Sequence, residues 1–281
     1  MLQREQIDFL LANAYNAAIR AGAKILDIYN HEEDFHINLK SDSTPITVAD
    51  RAAHTLIKSY LGKTRIPLMS EEGRHILYEE RGNWDLYWLV DPLDGTREFI
   101  KRNGEFTVNI ALMVDNRPVM GVIYYPCFEK IYFSDPERGA FRKENIFPDP
   151  EADFSIAGIF DGAQQLPLED DPGRPVSVVI SRSHLTPETH RFVEYLRERY
   201  GEVEVIESGS SVKFCLVAEG RADFYVRTTS TSEWDVAAGD SIAMATGAHT
   251  HALGDENARL EYNKESLENP RFVCCRKGIT V

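Results

Sequence analysis

Three short segments carry residues suited to chemistry: Glu71-Glu72, Asp91-Pro92-Leu93-Asp94-Gly95-Thr96 and, far downstream, Trp234-Asp235-Val236-Ala237-Ala238-Gly239. Carboxylate and carbonyl oxygens are the donors preferred by hard cations such as Mg²⁺. Two such ions about 3.5–4 Å apart can clamp the attacking and leaving oxygens of an in-line phosphoryl transfer. That requires carboxylates converging from separate segments, and Glu71, Asp91, Asp94 and Asp235 meet the requirement. Asp91 and Asp94 flank a Pro-Leu pair, read as a sharp turn that aims both carboxylates at one point and offers the Leu93 carbonyl. Gly95-Thr96 then opens a helix through Ile100, whose first N–H groups can receive an anion. Taken singly, each segment is commonplace. Asp-x-x-Asp-Gly is a frequent turn, adjacent glutamates are usually solvated, and Asp235 could simply cap a helix. Together and in this order they imply metal-assisted hydrolysis of a small phosphate ester.

The elements that must position these groups follow from periodicity. Apolar residues at helical spacing over 4–29 (Ile7, Leu11, Ala14, Ala18, Ile25, Tyr29) predict an amphipathic helix, and residues 47–61 a second. Residues 66–70 form a short strand running into Glu71. Tyr87 to Val90 is a buried strand that stops at Asp91. Residues 106–113 and 119–125 form an antiparallel hairpin joined at Asp115-Asn116-Arg117-Pro118, and the strands 130–133 and 140–141 extend it. Residues 142–175 are proline-rich, with an acidic run at 169–171. An α/β pattern follows: strand 176–181, helix 187–200 capped by Thr186, strand 203–206, helix 212–218 stopped by Gly220, strand 222–226, and helix 236–246 ending at Gly247. The expected organisation is an N-terminal α+β half over residues 1–145 carrying most ligands and a C-terminal α/β half over 174–281 carrying Asp235. Residues 146–173 are a linker or surface insertion between them.

Composition narrows the function classes. The chain has 281 residues, 43% apolar and 27% charged, ordinary for a soluble globular protein. No apolar run approaches the roughly 18 residues that span a bilayer, and no signal-peptide pattern opens the chain. A cytoplasmic protein without integral membrane association is expected. The net charge of −14 argues against nucleic acid and anionic lipid as partners. It is compatible with an anionic substrate only if bound cations reverse the local sign. Cys127, Cys215, Cys274 and Cys275 show no Cys-x-x-Cys pair and no Cys/His ligand spacing. They are read as reduced, buried thiols, with Cys274 and Cys275 poorly placed to bridge each other.

The combined segments resemble the inositol monophosphatase and fructose-1,6-bisphosphatase superfamily, over about residues 8–273. Lys40-Ser41-Asp42-Ser43-Thr44-Pro45-Ile46-Thr47-Val48-Ala49-Asp50 is similar to a further segment of that superfamily, with Thr44 where serine is usual. Within it the chain is most similar to the 3′(2′),5′-bisphosphate nucleotidase (CysQ-type) group. That likeness rests on residues 97–107, where Arg97 stands in place of the usual lysine, on Ser181-Arg182-Ser183-His184, on residues 209–214 and on Tyr262-Asn263-Lys264.

The resemblance implies a layered α-β-α-β-α sandwich and two or three Mg²⁺ ions per site. Glu71, Asp91 and the Leu93 carbonyl would hold one ion, and Asp91, Asp94 and Asp235 the second, with Glu71 or Glu72 helping to place a third. Asp50 and Thr96 would orient and deprotonate the attacking water, with Glu72 also in the catalytic set. Glu71, Leu93, Asp94, Gly95, Thr96 and Asp235 would surround the scissile phosphate. His184, Ser210 and Lys213 are candidates for a second phosphate, with Arg182 and Arg227 as weaker ones. The implied activity is Mg²⁺-dependent conversion of adenosine 3′,5′-bisphosphate to AMP and phosphate in sulfur metabolism, with Li⁺ sensitivity, by a monomer or homodimer. The 5′-phosphosulfate relative is a further candidate substrate. Inositol monophosphate or a sugar phosphate on the same metal site is the alternative, and a non-catalytic protein on this fold a third reading.

Overall fold

The computed structural model describes residues 2–31, 38–39, 45–168 and 173–281. Lys40 to Thr44 of the segment ending at Asp50, and the acidic run 169–171 with Pro172, lie outside them. The helices are α1 (Arg4–His31), α2 (Val48–Leu61), α3 (Tyr78–Arg81), α4 (Thr96–Ile100), α5 (Ile156–Phe160), α6 (Pro187–Tyr200), α7 (Val212–Glu219) and α8 (Glu233–Ala245). After the short pair β1 (Asn38–Leu39) and β2 (Pro45–Ile46) come β3 (Leu68–Ser70), β4 (Leu86–Asp94), β5 (Thr107–Val114), β6 (Arg117–Tyr125), β7 (Lys130–Asp135), β8 (Gly139–Lys143) and β9 (Gln164–Gln165). These seven form one sheet in sequence order. A five-stranded sheet contains β10 (Val176–Ser181), β11 (Val203–Ser208), β12 (Phe224–Arg227), β14 (His249–Ala252) and β16 (Phe272–Cys275), in the order β11-β10-β12-β16-β14. Beside it, β13 (Thr231–Ser232) pairs with β15 (Glu268–Asn269).

Side-chain alternation turns these sheets into layers. On β4, Trp88 and Val90 enter a core with α1 and α2, whereas Tyr87 and Leu89 enter a different core with α7 and α8. The five-stranded sheet does the same: Val179, Tyr225 and Cys274 face α7 and α8, and Val178, Phe224, Val273 and Cys275 face α6. The result is an α-β-α-β-α sandwich, as the resemblance implies. Cys274 and Cys275 point to opposite faces of β16, and all four cysteines are free.

Several expectations shift in detail. The β5–β6 turn is two residues, Asp115-Asn116, both with positive φ, and Pro118 sits beside a bulge inside β6. Within 146–173, α5 and β9 lie against the first sheet: Ile146, Ala152, Ile159 and Leu166 are buried, and β9 pairs with β8. The strands β14 and β16 were not foreseen: the sequence reading assigns no element after Gly247, where both lie. Among the described residues no helix is long and apolar enough to cross a membrane.

Candidate active site

Register places the first carboxylates. β3 runs parallel to β4 with Ser70 beside Val90. The next residue, Glu71, donates its N–H to the Val90 carbonyl at 3.1 Å and so lies next to Asp91. Asp91 and Asp94 are strand residues and not a turn as expected. A spacing of three would send them to opposite faces of a regular strand. The pairing with β5 slips by one residue between Asp91 (opposite Asn109) and Asp94 (opposite Thr107). This bulge absorbs the extra residue and turns both carboxylates to one side, and it also accommodates Pro92.

Asp235 arrives from α8, which starts earlier than the apolar pattern predicts. Ser232 is the N-cap, and Asp235 closes the capping box by accepting the Ser232 N–H at 2.9 Å. The small residues after it have a packing purpose. A Cβ on Gly239 would stand 2.5 Å from the Phe214 ring, and one on Gly121 would stand 2.2 Å from the Ala238 carbonyl oxygen. Without both glycines α8 could not lie this close to β6 and α7.

Carboxylate oxygens of Glu71, Asp91 and Asp235 lie within 4.8 Å of one another. Burial, then the charges of Glu71 and Asp94, hold the Asp91 and Asp235 carboxyls well above the ordinary carboxylate range. Burial pushes Asp94 up to about 6, opposed by the Lys213 ammonium. An all-oxygen cluster of like charges, buried at Asp91 and half-buried at Glu71, Asp94 and Asp235, is costly to ionise alone and is relieved by a divalent cation. The donor set and spacing therefore fit a hard ion, whose bonds to oxygen are about 2.1 Å for Mg²⁺.

Thr96 lies beside this cluster. Its hydroxyl donates to Asp50 Oδ1 at 3.2 Å, and the other oxygen, Oδ2, accepts from the Thr47 N–H at 2.7 Å and the Thr47 hydroxyl at 2.5 Å. Asp50 is buried and held by the cap of α2. Gly95 precedes Thr96 with φ of +95°, and a Cβ there would meet the Glu105 carbonyl oxygen at 2.9 Å.

Glu71, Asp91, Leu93, Asp94, Gly95, Thr96 and Asp235 line a cavity of about 580 Å³. His184, Ser210, Lys213 and Arg227 line it too. Lys213 is buried, its ammonium bonded to the Ser208 and Ser210 carbonyls and 5.3 Å over the Tyr225 ring. Burial, with Arg227 close by, brings that ammonium down to about 8. Burial and the neighbouring Arg227 and Arg97 bring His184 down to about 4, so its imidazole is neutral at pH 7. It lies between the Arg97 guanidinium at 3.2 Å and the Ser181 hydroxyl at 3.3 Å. Two buried polar atoms here, Ser210 Oγ and Arg227 Nε, have no hydrogen-bond partner in the protein, the state expected where a ligand completes the site.

Three sequence candidates stand outside this lining: Asp50, which reaches the site through Thr96, together with Arg182 and Glu72. Arg182 grips Glu105 with two bonds of 2.9 and 3.0 Å, and Glu105 accepts the Gly209 N–H at 2.9 Å. Arg182 thus braces the loop that carries Ser210. Glu72 lies on the turn after Glu71 and is not among the lining residues. Arg97, Ser181 and Trp234, members of the motifs that were given no individual role, also line the cavity, and Tyr225 does so unforeseen. Alternation along β12 was the available signal for Tyr225, which shares a face with Arg227.

The pattern of the inositol monophosphatase family matches residues 6–278. The chain is 43% identical to the 3′(2′),5′-bisphosphate nucleotidase CysQ of Salmonella typhimurium, over 94% of this chain and 98% of that one. It is 41% identical to CysQ of Escherichia coli K12 over the same shares. The crystal structure of CysQ from Bacteroides thetaiotaomicron superposes with a TM-score of 0.87 at 46% identity, covering 95% and 97% of the two chains. The inositol monophosphatase of Anabaena superposes at 0.68 with 21% identity, a likeness of fold alone.

Proposed function

The chain belongs to the inositol monophosphatase family, and from that premise we propose that it is a Mg²⁺-dependent 3′(2′),5′-bisphosphate nucleotidase. It removes the 3′-phosphate of adenosine 3′,5′-bisphosphate to give AMP and phosphate, with the 5′-phosphosulfate relative as a further substrate. This would clear a by-product of sulfate assimilation, and Li⁺ inhibition is expected from the family. The supporting observation is that one cavity joins a carboxylate end to an end bearing Lys213, Arg227, Arg97 and the unpartnered Ser210 hydroxyl. A substrate with two phosphates uses both ends, and the volume suits a nucleotide.

Glu71, Asp91 and the Leu93 carbonyl would hold one divalent ion, and Asp91, Asp94 and Asp235 the second. The bound ions supply Lewis acidity and a lowered water pKa. Thr96 takes a proton from the attacking water as its own hydroxyl proton passes to Asp50, whose carboxylate the Thr47 contacts hold in position. The Gly95 and Thr96 N–H groups orient the scissile phosphate. Lys213, Ser210 and Arg227 hold the 5′-phosphate, and neutral His184 contributes a hydrogen bond without a charge.

The test is phosphate release with Mg²⁺ from adenosine 3′,5′-bisphosphate, inositol 1-phosphate and fructose 1,6-bisphosphate in parallel, with Asp91→Asn as control. Strong preference for the nucleotide is expected. Preference for inositol or sugar phosphate would move the assignment to the alternative phosphatases and remove the role given to Lys213.

A further inference from the structure

On the opposite side of the five-stranded sheet from α7 and α8, the described residues assemble a second group of metal-ligating side chains. Donor atoms of His249, His251 and Cys275 all lie within 4.8 Å of one another. β14 is an edge strand and β16 its antiparallel neighbour. His249 and His251, two apart, share a face of β14. Register sets Cys275 directly opposite His249, where Cβ atoms stand about 4.5–5.5 Å apart. The two imidazoles are nearly parallel, at 18° with centroids 5.4 Å apart.

The orientation of His251 points to a ligand. Its Nδ1 lies 3.0 Å from the Ala252 carbonyl oxygen. A carbonyl only accepts, so Nδ1 carries the proton and the Nε2 lone pair faces Cys275 Sγ at 3.7 Å. A backbone carbonyl holding the far nitrogen is how metal-binding imidazoles are commonly fixed in tautomer and direction. With Zn–S about 2.3 Å and Zn–N about 2.0–2.1 Å, two donors on one tetrahedral ion sit roughly 3.6 Å apart. His251 and Cys275 are buried, while His249 is half-buried and gives access from solvent. Glu256, on the segment following β14, acts electrostatically on both His249 and Cys275.

We infer that His249, His251 and Cys275 form a site for a borderline-soft divalent transition metal, of the Zn²⁺ or Co²⁺ class, with a fourth position for water or the Glu256 carboxylate. Nitrogen and sulfur donors select such ions against Mg²⁺, which is left to the oxygen donors of the carboxylate cluster. Binding forms a sulfur–metal bond and releases the Cys275 thiol proton to solvent, with no electron transferred. The bound ion clips the edge strand β14 to β16.

The full chain, stripped with chelator and returned to excess Mg²⁺, is titrated with Co²⁺ and followed by absorbance. A thiolate-to-cobalt charge-transfer band saturating at a stoichiometric amount is expected. It should bleach on adding Zn²⁺, persist in Asp91→Asn, and vanish in Cys275→Ser. His249→Ala should weaken Co²⁺ binding at least about tenfold while leaving Mg²⁺-dependent phosphate release unchanged. That variant carries the test if Cys275→Ser does not fold. Absence of the band in the wild-type chain, its persistence in Cys275→Ser, or unchanged Co²⁺ affinity in His249→Ala would overturn the assignment. The trio would then be a thiol hydrogen-bonded to an imidazole in a packed core.

Discussion

At the carboxylate end of the cavity, Glu71, Asp91 and Asp94 come from one parallel strand pair, and Asp235 is locked by its own helix cap. At the cationic end, Ser181, His184, Ser210 and Arg227 come from the carboxyl ends of β10, β11 and β12 and the loops after them, and Lys213 from α7. There α6 follows β10 onto one face of the sheet and α7 follows β11 onto the other. The diverging connections leave a crevice, the usual ligand position in open α/β sheets. One end is built from contiguous motifs on rigid backbone and suits invariant chemistry. The other is built from loop residues that can vary without disturbing the carboxylate cluster, and suits substrate choice.

The sharpest way to break this division is Asp91→Asn. Loss of at least about a hundredfold in kcat/KM is expected for every phosphate ester. The metal-free protein should melt higher, because the cost of burying a carboxyl among like charges is gone. Each kcal/mol so relieved raises the midpoint by about 2–4 °C in a chain of this size. Retained activity, or a fall confined to the nucleotide, would remove Asp91 from the common chemistry. Thr96→Ala should cost about 10²–10⁴ in kcat, equally for bisphosphate and monophosphate substrates, and a substrate-dependent loss would move Thr96 to the specificity end.

Lys213→Met tests the other end. Losing a charged hydrogen bond of about 1.5–3 kcal/mol should lower kcat/KM for adenosine 3′,5′-bisphosphate about 10–150-fold and leave a simple monophosphate nearly unaffected. The pH dependence sharpens the same point. In the proposed role the protonated ammonium binds the anion, and in the free protein it is held down to about 8. KM for the bisphosphate should therefore rise as pH increases through 8, and this rise should be absent in Lys213→Met. The smallest effect belongs to His184→Gln. Its imidazole, brought down to about 4, is already neutral, so a change below about tenfold in KM with no inflection between pH 6 and 7 is expected.

Much of the carboxylate end was legible because its residues are close in sequence and their neighbours are unusual: a proline inside a strand, a glycine before a short helix, small residues after an aspartate. The helices α1, α2, α6 and α7 were legible from periodicity and caps. The strand β12 was placed early, and its true end at Arg227 puts Tyr225 and Arg227 on one side of the cavity. Arg182 shows the opposite limit, since a cation next to a candidate motif can serve as a brace for the loop and not face the cavity.

The residue types and their local spacing settled the donor chemistry, the helix boundaries to within a few residues and the layered class by resemblance. Only the tertiary structure decided which groups meet. A one-residue bulge brings Asp91 and Asp94 to one side, the close approach of α8 carries Asp235 to them, and the packing of both sheets on α7 and α8 brings the acidic and basic ends to one cavity. The register of two short strands sets His249 and His251 against Cys275, although the sequence shows no Cys/His ligand spacing. Local periodicity is written in neighbouring residues, whereas convergence depends on strand register and layer packing, which short-range spacing does not encode.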